Sequence, residues 1–287
     1  MAAPAPVAAR ICPLLERQTV TRRLPYAPQP WELLECLESG FVYLANPPGY
    51  AALEQQYAWE RTSATAGAAR RDSEPYLHAA SAAYGRFRRR VLRRNKVADL
   101  CRSPLADSGA GPIHLLDVGC GDGRLLERVV AGLPSAVARR CVPSGIELSR
   151  ALARTAAERL AAMGGSCVQA SAPDGLARLP EGRFRLILLA SYLEHEIQPL
   201  PVLRRCRALL ADSGQVVVKV PNYACWNRRL RGARWCGFRW PDHVNYFTPA
   251  TLREMAARAG LQVSRMALRD RHPLSDSLYA VLTQARP

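Results

Sequence analysis

The stretch His114-Leu115-Leu116-Asp117-Val118-Gly119-Cys120-Gly121-Asp122-Gly123 decides how the rest of the chain is read. Apolar and half-apolar residues make a short buried strand, an acidic residue closes it, and glycines follow at every second position. Arg124-Leu125-Leu126-Glu127-Arg128-Val129-Val130 then opens a helical pattern. Glycines at this spacing let the backbone turn tightly from strand into helix and leave no Cβ between loop and ligand. The helix N-terminus presents free N–H groups to whatever binds.

A glycine-rich turn serves several nucleotide ligands, and the spacing separates them. Nicotinamide and flavin fingerprints need G-x-G-x-x-G. Gly119, Gly121 and Gly123 instead run G-x-G-x-G, with Arg124 where the last glycine would stand. Asp117 precedes the first glycine, and a carboxylate there suits a ligand carrying an ammonium group better than a pyrophosphate. D-x-G-x-G-x-G resembles the first motif of class I S-adenosylmethionine (SAM)-dependent methyltransferases. A second strand, Cys141 to Glu147, also ends in an acid. Glu147 lies 24 residues beyond Gly123, where a carboxylate accepts hydrogen bonds from ribose hydroxyls.

Further along, Ser149 caps a helix through Met163, and Cys167-Val168-Gln169-Ala170 makes a third strand. The resemblance implies an acid just after that strand to hold the adenine amino group. Ser171 takes the place, with Asp174 three residues later, and the sequence leaves open which contacts adenine. Phe184 to Ala190 is a near-continuous apolar strand, as in a parallel sheet buried on both faces. It runs into Ser191-Tyr192-Leu193-Glu194-His195, similar to the Leu-Glu-His signature of small-molecule methyltransferases. The resemblance therefore implies SAM and its product S-adenosylhomocysteine (SAH) as ligands. They would be held by Asp117, Gly119, Cys120, Gly121 and Gly123, and by Glu147, Leu148, Ser171, Ala190 and Ser191. His195 is a candidate base, although in the family this motif more often shapes the loop beside the cofactor. A helix through Leu210, a turn at Asp212-Ser213-Gly214-Gln215 and a strand from Val216 to Asn222 follow.

Trp226 to Thr248 is the most individual segment. It sets Arg228, Arg229, Arg231 and Arg234 among Trp226, Trp235, Phe238 and Trp240, before Pro241-Asp242-His243-Val244-Asn245-Tyr246-Phe247. A connection this long inside a compact domain is usually a binding loop. The pattern resembles a methyltransferase subfamily in which an aromatic-Arg loop precedes a Pro-x-His-x-x-x-Phe element. Arg234, Trp240 and Tyr246, with Tyr57 and Trp59 from the preceding helical segment, are the expected acceptor-binding residues. His243 either takes a proton from the acceptor or bonds to backbone where the loop meets the sheet. Thr248-Pro249 starts a helix ending at Gly260, and last strands fall near 261–268 and 277–283.

Residues 1–30 are rich in Pro, Ala and Arg and show no periodicity. Cys12-Pro13-Leu14-Leu15 and Cys36-Leu37-Glu38-Ser39-Gly40 look like two zinc-ribbon knuckles with Leu15 and Ser39 in place of the second thiols. Residues 36–48 resemble the second knuckle ahead of some bacterial methyltransferase domains. Tetrahedral closure needs four donors, so no metal is expected there. Tyr50, Leu53, Tyr57 and Ala58 fall at helical spacing. Residues 86–94 read as an amphipathic helix with a solvated basic face, and Ser103 to Pro112 as a linker.

The 287 residues carry a net charge of +16 and nine cysteines. Only Lys96 and Lys219 are lysines, so the basic side is nearly all arginine among many alanines, a compositional bias as much as a polyanion footprint. No Asn-Pro-Pro-Tyr-like element follows the fourth strand, where the sequence is Ala190-Ser191-Tyr192-Leu193. That argues against an amino-directed nucleic-acid enzyme. Scattered, odd-numbered cysteines read as reduced thiols. No apolar run reaches bilayer length and no signal peptide is evident, which points to the cytoplasm.

The expected architecture is α/β, a Rossmann-like seven-stranded class I methyltransferase sheet with helices on both faces over residues 106–287. A vestigial zinc ribbon (1–48) and a helical cap (49–105) precede it. The expected function is methyl transfer from SAM to an O or N atom of a small acceptor such as a sugar or secondary metabolite. The alternatives are an RNA or protein methyltransferase and a non-catalytic SAM-binding partner protein.

Overall fold

The computed structural model describes residues 10–55, 96–106 and 111–285. Tyr57, Trp59 and the basic segment 86–94 lie outside the described residues.

The apolar runs form the parallel part of the main sheet: β4 (Ile113–Val118), β5 (Cys141–Glu147), β6 (Ser166–Gln169), β7 (Phe184–Ala190) and β8 (Leu210–Pro221). With β10 (Leu261–Arg265) and β11 (Ser277–Gln284) they make a seven-stranded sheet in the order β10-β11-β8-β7-β4-β5-β6. β4 pairs in parallel with both β5 and β7, while β11 runs antiparallel to both β8 and β10. Chain direction along the sheet reverses between β4 and β7, the switch point at which strand ends open a crevice for a ligand.

Alternating side chains feed two cores, one on each face. Leu116, Val118, Ile187, Leu189, Val216 and Val218 face one way, toward α6 (Ala172–Ala177), α7 (Pro199–Leu209) and α9 (Pro249–Arg258). Leu115, Leu186, Leu188 and Val217 face the other, toward α2 (Lys96–Ala106), α3 (Arg124–Ala131) and Leu160 of α5 (Arg150–Ala161). α1 (Tyr50–Gln55), the short α4 (Ser135–Ala138) and α8 (Trp226–Arg231) complete the helices named below. Helix starts follow their capping chemistry: Ser149 accepts from the Leu152 amide, and Thr248 and Thr251 form a reciprocal capping box with Pro249 in the first turn.

Three expectations are corrected. α2 runs to Ala106, into the stretch read as a linker, and its Val97, Leu100, Cys101 and Leu105 belong to the sheet's core. The methyltransferase unit therefore takes in residues assigned to the cap. The turn at Asp212–Gln215 is absorbed into β8 as a register jump, from Phe184↔Leu210 to Leu186↔Gln215, with Ser213 at φ +60. Periodicity missed it because a bulge interrupts the alternation without ending the strand.

The third correction concerns the N-terminus. β1 (Thr21–Leu24), β2 (Leu33–Cys36) and β3 (Val42–Leu44) form an antiparallel sheet whose fourth strand is β9 (Asn245–Tyr246). Val42 pairs with Tyr246, so the ribbon is completed by the far end of the chain. Cys12 and Cys36 are buried, with Ser39 standing between them: its amide donates to Cys36 Sγ at 3.5 Å and its hydroxyl lies 3.8 Å from Cys12 Sγ. Cys12, Leu14, Phe41 and Tyr43 join the main core. No helix among the described residues is long and apolar enough to cross a membrane.

Candidate active site

A cavity of about 560 Å³ opens at the C-terminal ends of β4, β5 and β7. Asp117, Gly119, Cys120, Gly121, Glu147, Leu148, Ser171, Ala190 and Ser191 all line it, as does His195. Ten expected residues are thus gathered on one wall or another of a single cavity.

The loop after β4 owes its shape to its glycines. Gly119, Gly121 and Gly123 all have positive φ, at +69, +56 and +79. A Cβ on Gly119 would come within 2.6 Å of the Tyr192 ring, whereas one on Gly121 would project into open space. Gly123 does not line the cavity. It lets the start of α3 approach α5, where a Cβ would meet Ala156 and Arg159 at 3.4 Å. Arg159 fastens the same junction, donating to the Asp122 carbonyl at 2.8 Å and to Glu127 at 2.9 Å.

Two carboxylates sit at adjacent strand ends. Glu147 accepts from the Gly121 amide at 2.8 Å and the Ser149 amide at 2.9 Å, so the second strand end braces the glycine loop. Asp117 is 2% exposed. Burial, then the neighbouring Glu147 and Cys167, hold its carboxyl well above the ordinary range. Among the described residues no cation pairs with it. A buried acid in an acidic pocket is relieved by a cationic ligand, and a ribose diol suits Glu147. The residues fit the ammonium and ribose of SAM.

The open question at adenine narrows. Ser171 lines the main cavity and caps α6, its hydroxyl 2.6 Å from Asp174 Oδ2. Asp174 borders an adjoining depression with Tyr50, Gln169 and Arg178.

The cavity also holds residues that the sequence reading did not single out. Tyr50, Tyr192, Glu196, Lys219 and Asp242 line it beside His195. Glu196 is 1% exposed and accepts from the hydroxyls of both Tyr50 and Tyr192 and from the Gln198 amide at 2.7 Å. Lys219 Nζ donates to Ser191 Oγ at 2.9 Å, and Ser191 holds φ +62, a left-handed conformation uncommon for serine. Lys219 was legible: it is one of two lysines in an arginine-rich chain, at the end of an apolar strand. Glu196 directly follows the Leu-Glu-His signature and carried no separate signal.

His195 donates Nδ1–H to the Asp242 carbonyl at 2.9 Å, which leaves Nε2 unprotonated. Burial, then Arg239, lowers its pKa to about 4, against the Asp242 carbonyl. His243 does not reach the cavity. It is 4% exposed, hydrogen-bonded to the Gly237 carbonyl at 2.7 Å, and lies edge-on to His195 at 4.7 Å. Burial, followed by His195 and Arg239, holds it well below the usual imidazole range. Of the two readings left open for His243, this is the one bonded to backbone and not the one facing the acceptor.

The aromatic-Arg segment is also relocated. Trp240 stacks on Phe238 at 5.4 Å, and Tyr246 is 1% exposed with its hydroxyl donated to the His243 carbonyl at 2.9 Å. With Trp235, Tyr223 and Leu33 they form a third core that seats the ribbon sheet. Arg234 points to solvent. None of Arg234, Trp240 and Tyr246 lines the cavity. The composition suited a binding loop, but the aromatic rings are consumed in packing β2, β3 and β9.

The model of the methyltransferase domain family matches residues 78–265, more than half of the chain, and the chain belongs to that family. Its strand order, glycine loop and acidic pair are those of the class I SAM-dependent enzymes, and SAM is its cofactor. It is 31% identical over 182 residues to a ubiquinone biosynthesis O-methyltransferase of Thiobacillus denitrificans, covering 61% of this chain and 73% of the relative. It is 29% identical over 166 residues to another of that name from Cereibacter sphaeroides, covering 52% of this chain and 60% of the relative. Among solved structures, it shares its fold with the methyltransferase in complex with the Haloferax volcanii Trm112 activator. The TM-score is 0.50 at 13% identity, over 67% of this chain and 99% of that one.

Proposed function

We propose that this protein transfers the SAM methyl group to a hydroxyl oxygen of a small acceptor. The observation that carries the reading is the paired-tyrosine carboxylate, Tyr50 and Tyr192 on Glu196, in the wall of the same cavity as Asp117 and Glu147. SAM, when bound, supplies an activated methyl on a sulfonium.

The chain's residues orient both reactants and take up the proton. Asp117 and Glu147 hold the ammonium and ribose, and Gly121 leaves room for close approach. Lys219 fixes the Ser191 turn in the cavity wall. The acceptor hydroxyl donates to a tyrosine oxygen, and that tyrosine's own proton passes to Glu196 as the methyl arrives. The relatives it resembles are named as O-methyltransferases, which favours oxygen over nitrogen. The arginines of residues 228–234 stay outside the cavity, which favours a small acceptor over a polyanion.

The test is incubation of the protein with methyl-labelled SAM and fractionated cell metabolites, followed by mass spectrometry. A labelled hydroxylated small molecule, lost in Glu196→Gln, supports the reading. Label found only in RNA or protein would overturn it.

A further inference from the structure

The loop after β7 and the segment before β9 bring three side chains with metal-binding donors together, and one of them, His195, lines the cavity. Glu194, His195 and His243 each offer one ligand atom, and these atoms lie within 4.8 Å of one another. We propose that this cluster is a binding site for a nitrogen-preferring divalent ion such as Zn²⁺ or Co²⁺.

The strongest observation is Glu194 itself. It is 2% exposed, and its Oε2 is buried with no hydrogen-bond partner among the described residues. An orphaned buried carboxylate oxygen is costly and calls for a donor or a cation. Arg239 is not that partner in this arrangement. Its Nη2 lies 3.7 Å from Asp242 Oδ2, and its Nε and Nη2 are themselves buried without hydrogen bonds.

Both imidazoles are set in the tautomer a ligand needs. His195 Nδ1 meets the Asp242 carbonyl at 2.9 Å and His243 Nδ1 meets the Gly237 carbonyl at 2.7 Å. A carbonyl only accepts, so both Nδ1 atoms carry the proton and both Nε2 atoms keep a lone pair. Metal-binding histidines are typically oriented by such outer contacts. The scaffold beneath is rigid as well. The Glu194 carbonyl accepts from the Val244 and Asn245 amides at 2.7 and 3.1 Å. The Asn245 side chain donates to the Leu193 and Glu196 carbonyls at 2.7 and 2.6 Å.

A tetrahedral site with bonds of about 2.0–2.2 Å separates its donors by about 3.3 Å, so a contraction of about 1.5 Å completes the set. Charge says what comes fourth. Lys219 and Arg239 already oppose Glu194, and Arg239 also faces Asp242. The ion's charge would stay uncompensated, so an anionic oxygen entering from the cavity is the natural fourth ligand. His195 and Asp242 form the cavity wall on this side. On the reading given above, that oxygen is the acceptor's own hydroxyl, whose proton passes to the tyrosine–Glu196 pair. The sequence reading expected no metal in the protein, on the ground that Cys12 and Cys36 supply two thiolates of the four a zinc ribbon needs; this cluster departs from that expectation and uses neither cysteine.

The experiment titrates chelator-treated full-length protein with Zn²⁺ by calorimetry and with Co²⁺ by visible spectroscopy, with no acceptor present. One ion per chain is expected, with Co²⁺ bands of nitrogen and oxygen ligation. Glu194→Gln and His243→Gln should each weaken Zn²⁺ at least tenfold while SAH binding persists as the control for folding. Cys12→Ser should change nothing. The proposal is overturned if wild type shows no saturable binding, if both Glu194→Gln and His243→Gln bind as wild type does, or if the Co²⁺ spectrum carries thiolate charge-transfer bands. The Co²⁺ spectrum of the wild type decides even if a variant fails to fold. Metal binding is read without turnover, so its failure leaves the methyl-transfer reading standing, and a failure of methyl transfer leaves the metal measurement intact.

Discussion

Gly121 donates its backbone N–H to Glu147 at 2.8 Å, which ties the glycine loop after β4 to the end of β5. The contact braces a loop of left-handed glycines with a carboxylate that also lines the cavity. Loop shape and ligand affinity should therefore fail together at this position and separately elsewhere.

Alanine at Gly119 and at Gly121 separates strain from crowding. Both positions have positive φ, and a left-handed alanine costs about 1–2 kcal/mol. At Gly119 the added Cβ also meets Tyr192 at 2.6 Å, whereas at Gly121 it meets nothing. Chemical denaturation should show Gly119→Ala less stable than Gly121→Ala. Equal midpoints would mean that Tyr192 moves freely.

Asp117 makes the ligand-free protein sensitive to pH. Its folded-state pKa is raised above the ordinary 3.8, so the folded state holds the proton longer than the unfolded one. That contribution to stability is fully present below the ordinary value and is lost as pH rises through the folded value. SAH, bringing an ammonium, favours the ionised form, so its affinity should rise with pH across the same window. Thermal melts and SAH titrations of Asp117→Asn should show both trends flattened. A variant that keeps the wild-type slopes would place the titrating group elsewhere.

The relocated loop gives a contrasting pair. Arg234 faces solvent, so Arg234→Ala should leave both stability and methyl transfer within error of wild type. Trp240 stacks on Phe238 and also packs against Tyr246, with ring centroids 5.9 Å apart in the latter pair. Its truncation should cost about 2–3 kcal/mol in urea unfolding. Loss of acceptor methylation in a fully folded Arg234→Ala would restore the loop to the acceptor site.

The cofactor half of the site was legible because its chemistry is local. A strand, an acid and glycines in a fixed frame carry Asp117 and Gly121, and Glu147 follows at the next strand end. The grouping of Tyr50, Tyr192, Glu196 and Lys219 was not legible, because they come from three segments, α1, the loop after β7 and β8, that meet only in the folded chain. Residues 226–247 misled for a related reason. Tryptophans among arginines look the same whether the rings receive a ligand or pack a sheet, and β9 is too short to show alternation. A ribbon-like N-terminal unit was expected from Cys12, Cys36 and Ser39, but no local pattern could say that Tyr246 pairs with Val42 in the sheet there.

The most direct test of the central claim is calorimetric titration of SAH into wild type, Asp117→Ala and Glu147→Ala. Each substitution removes a charged hydrogen-bond acceptor worth about 1.5–3 kcal/mol, or about tenfold or more in affinity. The account predicts saturable one-to-one binding to wild type and at least that loss in each variant, with circular dichroism unchanged. Wild-type affinity retained in both variants would contradict it.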